Sequence, residues 1–339
     1  MVKNPVSSDA TVVATERLLA AVQRRFGAST RIENVEIATL GGSNRTVLFD
    51  CHESAATRRL VLRQETYRMA HSPFISPHDQ YQLLELASRR GIPVPAPIFE
   101  LNEDDDLGRG YIAACVPGET RPKRLINDPC LARARARFAA QCGEILAALH
   151  SFAPADAVFL EQTPDSRDPL TAQIDRIDAY VEVHPALELG LRWLRLNRPP
   201  AARRCVLHGD FRNGNLIVDD TGIRAVLDWE CAHIGDPMED IGWLCMRSWR
   251  FGNVDRAIGG IGTRADFAAA YRANGGVDID PDRVRYWEIF GLVRWAVLNI
   301  MQAHGHGTTQ RRSVAFAACG RNTALTEYEL LMTLNGTYT

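Results

Sequence analysis

Lysine is almost missing from this 339-residue chain: Lys3 and Lys123 are the only two, so 37 of its 39 basic residues are arginine. Any task that needs a small, mobile ammonium group has just two positions to fall on. The eight cysteines form no C-x-x-C pair, which excludes the common zinc and dithiol signatures and suggests a reduced compartment with several buried thiols. No uninterrupted apolar run is long enough to span a bilayer, and the opening MVKNPVSSDATVV lacks the apolar core of a signal peptide. A cytoplasmic protein with no membrane partner is therefore expected. A net charge of -2 offers no basic surface for nucleic acid or an anionic membrane. His304-Gly305-His306 reads as a glycine loop and not as a metal site. What is present is ordinary globular composition, 46% hydrophobic and 24% charged, in a length that suits two domains or lobes.

The densest run of chemistry-bearing residues is 206–240, VLHGDFRNGNLIVDDTGIRAVLDWECAHIGDPMED. It sets His208, Asp210, Asn215, Asp228, Asp236 and Asp240 among short β-branched runs. LIV (216–218) and IRAVL (223–227) read as strands, and Asp219-Asp220-Thr221-Gly222 as the turn of a hairpin. With Val218 opposite Ile223, Asn215 falls opposite Val226, and Asp228 lies two residues further along. The two side chains then share a face, their backbones roughly 7–8 Å apart, a span one divalent ion can bridge. A register slip of one residue would undo this. Asp210 stands five positions before Asn215, on the loop leading into the first strand. Phosphoryl transfer asks a protein to take a proton from an acceptor hydroxyl and to hold a metal against phosphates. One loop carboxylate, one amide and one hairpin carboxylate supply those parts. Asp236-Pro237 also reads as a helix N-cap followed by proline at the first helical position, and His208 as a structural, hydrogen-bonded histidine.

Three motifs in order, His208-Gly209-Asp210-Phe211-Arg212-Asn213-Gly214-Asn215, Leu227-Asp228-Trp229-Glu230 and Gly235-Asp236-Pro237-Met238-Glu239-Asp240, resemble those of the aminoglycoside phosphotransferase and choline-kinase-like family of small-molecule kinases. The resemblance implies an α+β, protein-kinase-like fold of two lobes: a small antiparallel-sheet nucleotide lobe over 1–118 and a larger, mainly helical catalytic lobe over 119–339, with the motif hairpin at the cleft. It implies ATP and Mg²⁺ as cofactors and a small-molecule hydroxyl as acceptor. It makes Asp210 the general base, Asn215 and Asp228 the metal ligands, and Asp236 the residue that ties down the catalytic loop. Arg212 would offset charge on the transferring phosphoryl group.

The first lobe reads as a helix over 9–27, then strands VEIATL (35–40), TVLFDC (46–51) and RLVLR (59–63). Gly41, Gly42, Ser43 and Asn44 lie in the glycine-rich turn between the first two strands, where backbone N–H groups can cover phosphates. The family resemblance asks for a basic residue on the third strand, and with no lysine nearby this falls to Arg63, whose planar fork suits phosphate oxygens. The helix opening at Ser76-Pro77 places Gln80 where the resemblance expects a glutamate partner. Both positions depart from the family pattern. IFEL and YIAACV give the last two strands, and backbone groups from Ala114 to Val116 would meet adenine at the interlobe hinge.

Beyond Asp128 the chain reads as helices, with starts at Asp236, Thr263, Asp280 and about Arg311. From Arg250 to the end ten arginines face eight acidic residues, a balance that disfavours a polycationic acceptor. Tyr286–Met301, YWEIFGLVRWAVLNIM, reads either as a core helix whose Arg294 snorkels outward or as an apolar wall of the acceptor site. GGSNRT, VLRQ, GIPVPAP and GLVRWAV resemble the kinase domains fused to acyl-CoA dehydrogenases, which points to hydroxyacyl thioesters. Three alternatives stay open: an aminoglycoside- or macrolide-type antibiotic kinase, a nucleotide-binding pseudokinase suggested by Arg63 and Gln80, and a metal-dependent phosphohydrolase.

Overall fold

The computed structural model describes residues 8–38, 44–54, 56–65, 71–180, 182–308 and 313–338. They form two compact units. The first takes the described residues of Met1–Arg68, Ser76–Leu86 and Pro95–Val116, and the second those of Met69–Ile75, Ala87–Val94 and Pro117–Thr339.

In the first unit, helix α1 (Ser8–Phe26) precedes strands β1 (Arg31–Ile37), β2 (Asn44–His52) and β3 (Thr57–Glu65). Helix α2 (Pro77–Arg89), whose last turn falls in the second unit, is followed by β4 (Pro97–Glu100) and β5 (Gly110–Ala114). The strands form one antiparallel sheet in the order β1-β2-β3-β5-β4. Alternation along β2 and β3 sends Val47, Phe49, Leu60 and Leu62 to one face, where Leu18, Ala21 and Val22 of α1 cover them. At about 1.5–3 kcal/mol per large apolar side chain, this face outweighs the exposed Arg17–Asp106 pair at its edge. The acidic turn before β5 is more than a turn: Asp105 is buried and accepts from Arg24 (2.6 Å) and Arg25 (2.9 and 2.8 Å), fastening α1. The first strand starts earlier than its hydrophobic pattern suggests, at Arg31, because Asn34 in the left-handed region (φ 49°) breaks the alternation with a register shift.

The second unit is mainly helical: α3 (Pro122–Asn127), α4 (Ala132–His150), α5 (Pro164–Arg167), α6 (Pro169–Asp178) and α7 (Pro185–Leu196) precede four short strands. These are β6 (Cys205–Leu207), β7 (Leu216–Asp219), β8 (Gly222–Val226) and β9 (His233–Gly235), paired β6–β9 and β7–β8. Helices α8 (Pro237–Cys245), α9 (Arg264–Ala273), α10 (Pro281–Gly307) and α11 (Val314–Leu334) complete it. Asp236, Thr263 and Asp280 cap α8, α9 and α10 as their spacing predicts. A single cut at 118 would leave two short segments on the wrong side. Ile75 N–H donates to Glu230 O (2.8 Å), and Pro93 O accepts from Val226 N–H (2.8 Å), both within the second unit. His304-Gly305-His306 is no loop: it forms the last turn of α10. Among the described residues no single helix is long and apolar enough to cross a membrane, and Cys51, Cys142, Cys205, Cys231 and Cys245 are buried free thiols.

Candidate active site

The loop 208–215 leaves β6 and is fixed from behind by residues far away in sequence. Gly209 has φ +74°, and a Cβ there would lie 2.2 Å from Cys231 O, so the H-G-D pattern needs its glycine. The fully buried Asp240 carboxylate accepts from His208 N–H (2.8 Å) and Gly209 N–H (2.9 Å), and faces His150 Nε2 at 3.2 Å. Burial alone would raise its pKa; the bond and charge of His150 outweigh that and hold the carboxyl below its ordinary value. Gly209 O accepts from Arg294 Nη1 at 2.9 Å.

His208 is the structural histidine its setting predicts. Its Nδ1 accepts from Asp210 N–H (3.1 Å), which leaves Nε2 to donate to Leu227 O (2.9 Å). Burial pushes its pKa down, so the neutral ring is the favoured form.

Asp236, expected to tie down this loop, does not. It caps α8 through Met238 N–H (3.0 Å) and accepts from Trp287 Nε1 (2.9 Å) and from Arg283. The loop-holding carboxylate is Asp240, one helical turn further on: its oxygens reach the backbone after β6, while those of Asp236 reach Trp287 and Arg283 of α10.

The loop carries its polar groups to one carboxylate. Asp210, half-buried, accepts on Oδ1 from Arg212 Nε (2.9 Å) and from Trp243 Nε1 (2.9 Å). Asn215 Nδ2 donates to Asp210 Oδ2 (2.7 Å) and to Asp210 O (2.9 Å). Arg212 also lies over Trp249, 4.7 Å from the ring centre, and so is no free surface arginine. Buried Asn213 anchors the loop's middle through Trp249 O (3.1 Å) and Gly259 O (2.7 Å).

The hairpin forms, but not in the register that the same-face reading required. Val218 does oppose Ile223, yet a bulge follows and Ile217 opposes Ala225, so Leu216 meets Val226. The extra residue is Arg224, exposed on the strand between. Asn215 therefore meets Leu227, whose N–H donates to Asn215 O at 2.8 Å. Asp228 comes one residue later with a left-handed backbone (φ 60°, ψ 58°), opening the turn Trp229–Cys231. The left-handed turn, and not strand alternation, places this carboxylate.

With Nδ2 of Asn215 spent on Asp210, its Oδ1 is the amide atom left for a cation, and Asp228 adds a carboxylate. Such hard oxygens suit Mg²⁺, which takes few protein ligands and completes its shell with water and phosphate. Among the described residues no group of three or more His, Cys, Asp or Glu is placed to hold a metal ion.

In the first unit, Arg63 sits on β3 between Thr46 and Tyr111 and donates to Thr46 Oγ1 at 2.9 Å. Alternation puts it on the face away from Leu60 and Leu62. Gln80 is buried on α2. Asn44 opens β2 opposite Glu65, whereas Gly41, Gly42 and Ser43 lie outside the described residues. Ala114 N–H and Cys115 N–H donate to Ala96 O (2.8 Å) and Arg59 O (2.9 Å), and Val116 is the last residue of the unit.

Sequence reasoning missed the supports. Asp240 stood in the G-D-P-x-x-D motif without a role, and Trp243, one turn on, carried no signal beyond helical spacing. Arg294 does not snorkel: it is 2% exposed, donates to the loop backbone at Gly209 O and pairs with Glu239 Oε1 at 3.5 Å.

The model of the phosphotransferase enzyme family (APH) matches residues 35–287. Mouse acyl-CoA dehydrogenase family member 10 is 29% identical over 212 residues, 56% of this chain and 18% of that one, so the chain spans less than a fifth of that relative. Among solved structures, a Ralstonia eutropha JMP134 protein classed with the aminoglycoside phosphotransferases superposes with a TM-score of 0.70 at 21% identity, covering 94% of this chain and 97% of that one. A thermostable mutant of aminoglycoside phosphotransferase APH(4)-Ia, in complex with AMP-PNP and hygromycin B, gives 0.61 at 16% identity, covering 95% and 99%. The fold is thus protein-kinase-like, and the chain belongs to the phosphotransferase enzyme family.

Proposed function

We propose that the chain moves the γ-phosphoryl group of ATP, bound with Mg²⁺, to a hydroxyl of a neutral or anionic small molecule, with hydroxyacyl thioesters the first candidates. The observation that carries this is the Asp210 carboxylate, fixed by three donors and set on a loop clamped by Asp240 and Arg294. A carboxylate held so is ready to accept a proton without rearranging. Asn215 Oδ1 and Asp228 would hold Mg²⁺, which when bound supplies positive charge against the phosphates. Arg212, tied to Asp210 through Nε, would present its remaining nitrogens to the transferring group. In residues 1–118, Arg63 would bind phosphate oxygens, the turn Gly41–Asn44 would cover them, and the backbone around Ala114 to Val116 would meet the base. With the N–H groups of Ala114 and Cys115 already used, Val116 is the donor assigned there. Residues 119–339 would supply the acceptor side.

What lies beside Asp210 supports this acceptor class. Trp243, Trp249 and Trp295 pack ring to ring with centroids 5.1–6.3 Å apart, and Arg212 stacks on this cluster. The Arg212 guanidinium beside Asp210 suits an anionic acceptor better than a polycation, which needs opposed carboxylates. The likeness to an acyl-CoA dehydrogenase family member supports the same direction. A panel of hydroxyacyl-CoAs, aminoglycosides, macrolides, choline and homoserine, scored for ATP-dependent phosphorylation, tests the reading. Turnover of an aminoglycoside or choline with none on acyl thioesters would refute the acceptor class. Nucleotide binding with no phosphorylated product in any arm would favour a pseudokinase.

A further inference from the structure

Trp243 belongs to none of the motifs, yet its indole N–H reaches the Asp210 carboxylate. An ionised carboxylate oxygen offers about two lone-pair directions. On Oδ1 both are taken, by Arg212 Nε and Trp243 Nε1, each at 2.9 Å. Oδ2 accepts from Asn215 Nδ2 at 2.7 Å and keeps one direction for an incoming hydroxyl. We infer that Trp243 is a positioning residue that, with Arg212, fills Oδ1 so that Oδ2 of Asp210 receives the acceptor's proton. This rests on the reading of Asp210 as the base. In that step the hydroxyl O–H bond breaks and its proton goes to Oδ2. The pair freed from the O–H bond forms the bond to the γ-phosphorus, the bridging P–O bond breaks, and ADP leaves with the pair of that broken bond. The proton passes later to solvent.

The indole is built to hold still. Trp243 is 2% exposed, with Trp249 and Trp295 at 5.4 and 6.3 Å and the Arg294 guanidinium 5.4 Å from its ring. Helix α8 seats against α10 through Gly242, where a Cβ would fall 2.7 Å from Trp287 Cβ and 2.8 Å from Glu288 N. Asp240 and Trp243, three residues apart, share the helix face toward the loop. One helix thus fixes both the backbone of the loop, through Asp240, and the rotation of its carboxylate, through Trp243. A ring that only filled space would need no donor aimed at Oδ1.

Two measurements test this. In ADP release from Mg·ATP with water as acceptor, Trp243→Phe should lower kcat roughly 10- to 100-fold, the worth of a hydrogen bond to a charged group, with KM for ATP within about twofold. Because Trp243 acts through Asp210, the double variant Asp210→Asn/Trp243→Phe should be no slower than Asp210→Asn alone. Parental kcat in Trp243→Phe beside a slow Asp210→Asn would overturn the positioning role and leave the base standing. Parental kcat in Asp210→Asn would overturn the base itself. Independently of turnover and of how Trp243→Phe folds, the assigned Trp243 indole N–H resonance should move upfield in Asp210→Asn. An unmoved resonance would show that the indole does not bond to this carboxylate.

Discussion

The loop 208–215 and the sheet around Arg63 place their polar groups by different means. In the second unit, side chains from α8 and α10 come from 31 to 85 residues away to grip the loop, and His150 of α4 backs the Asp240 carboxylate that does so. In the first, Arg63 owes its place to strand register between Thr46 and Tyr111. The contrast follows the chemistry assigned to each. A proton acceptor must be aimed at one atom, so its torsions are fixed by buried donors. A phosphate-binding arginine presents a planar fork to phosphate oxygens from the end of a long side chain, and a strand position that sets its side of the sheet suffices.

The comparison is broken most sharply by removing a proposed metal ligand. Asp228→Ala should abolish the Mg²⁺-dependent part of nucleotide binding, read by calorimetry with and without the metal. Unchanged Mg²⁺ dependence would remove Asp228 from the site. Next comes the loop's support. Asp240→Ala leaves His150 and two backbone N–H groups buried without their acceptor, and should cost about 3–5 kcal/mol of stability. Asp236→Ala, four residues away on the same helix, should cost about 1–3 kcal/mol, as a lost cap and ion pair. Denaturant titration of both variants decides it: equal losses would mean that the loop is not what Asp240 holds.

Much of the fold and the site is legible in the amino-acid sequence, and the remainder is hidden for definite reasons. Asp210, Asn215 and Asp228 lie in one short stretch because a loop and a hairpin deliver them locally. Asp240 is visible inside a motif, but Asp236 looks the better anchor since Asp-Pro is so strong a cap signal. The bulge at Arg224 leaves no mark in a β-branched run, so the expected register slips by one. Arg294 sits in an apolar stretch where an outward-reaching side chain is the usual expectation; its hydrogen-bond acceptor, Gly209 O, is 85 residues away and is a backbone atom. Contacts of that kind follow from helix packing, which sequence spacing does not encode.

Smaller effects sharpen the contrast. Arg63→Ala should weaken ATP binding about tenfold, and Arg63→Lys should recover only part of it, because a point charge replaces a fork. Full recovery by lysine would show that charge alone is read there. Two of the buried histidines, His208 and His233, should set opposite pH slopes. For His208, burial lowers the pKa from 6.5, so its contribution is present above that pH and lost as pH falls below it. For His233, burial works against charge, but Glu239 overrides it and raises the pKa, so its contribution is present below 6.5 and lost as pH rises through the folded value. Denaturation midpoints from about pH 5.5 to 7.5 should lose their acid-side slope in His208→Gln and their alkaline-side slope in His233→Gln. Slopes unaltered by either substitution would contradict those assignments.

The most direct test is a single-turnover comparison of the parent and Asp210→Asn, both saturated with Mg·ATP, in the presence of the acceptor the panel identifies. The parent should transfer the γ-phosphoryl group to the acceptor's hydroxyl. Asp210→Asn should do so roughly 10²–10⁴ times more slowly while binding ATP almost as tightly. Transfer at the parental rate by Asp210→Asn would contradict the account.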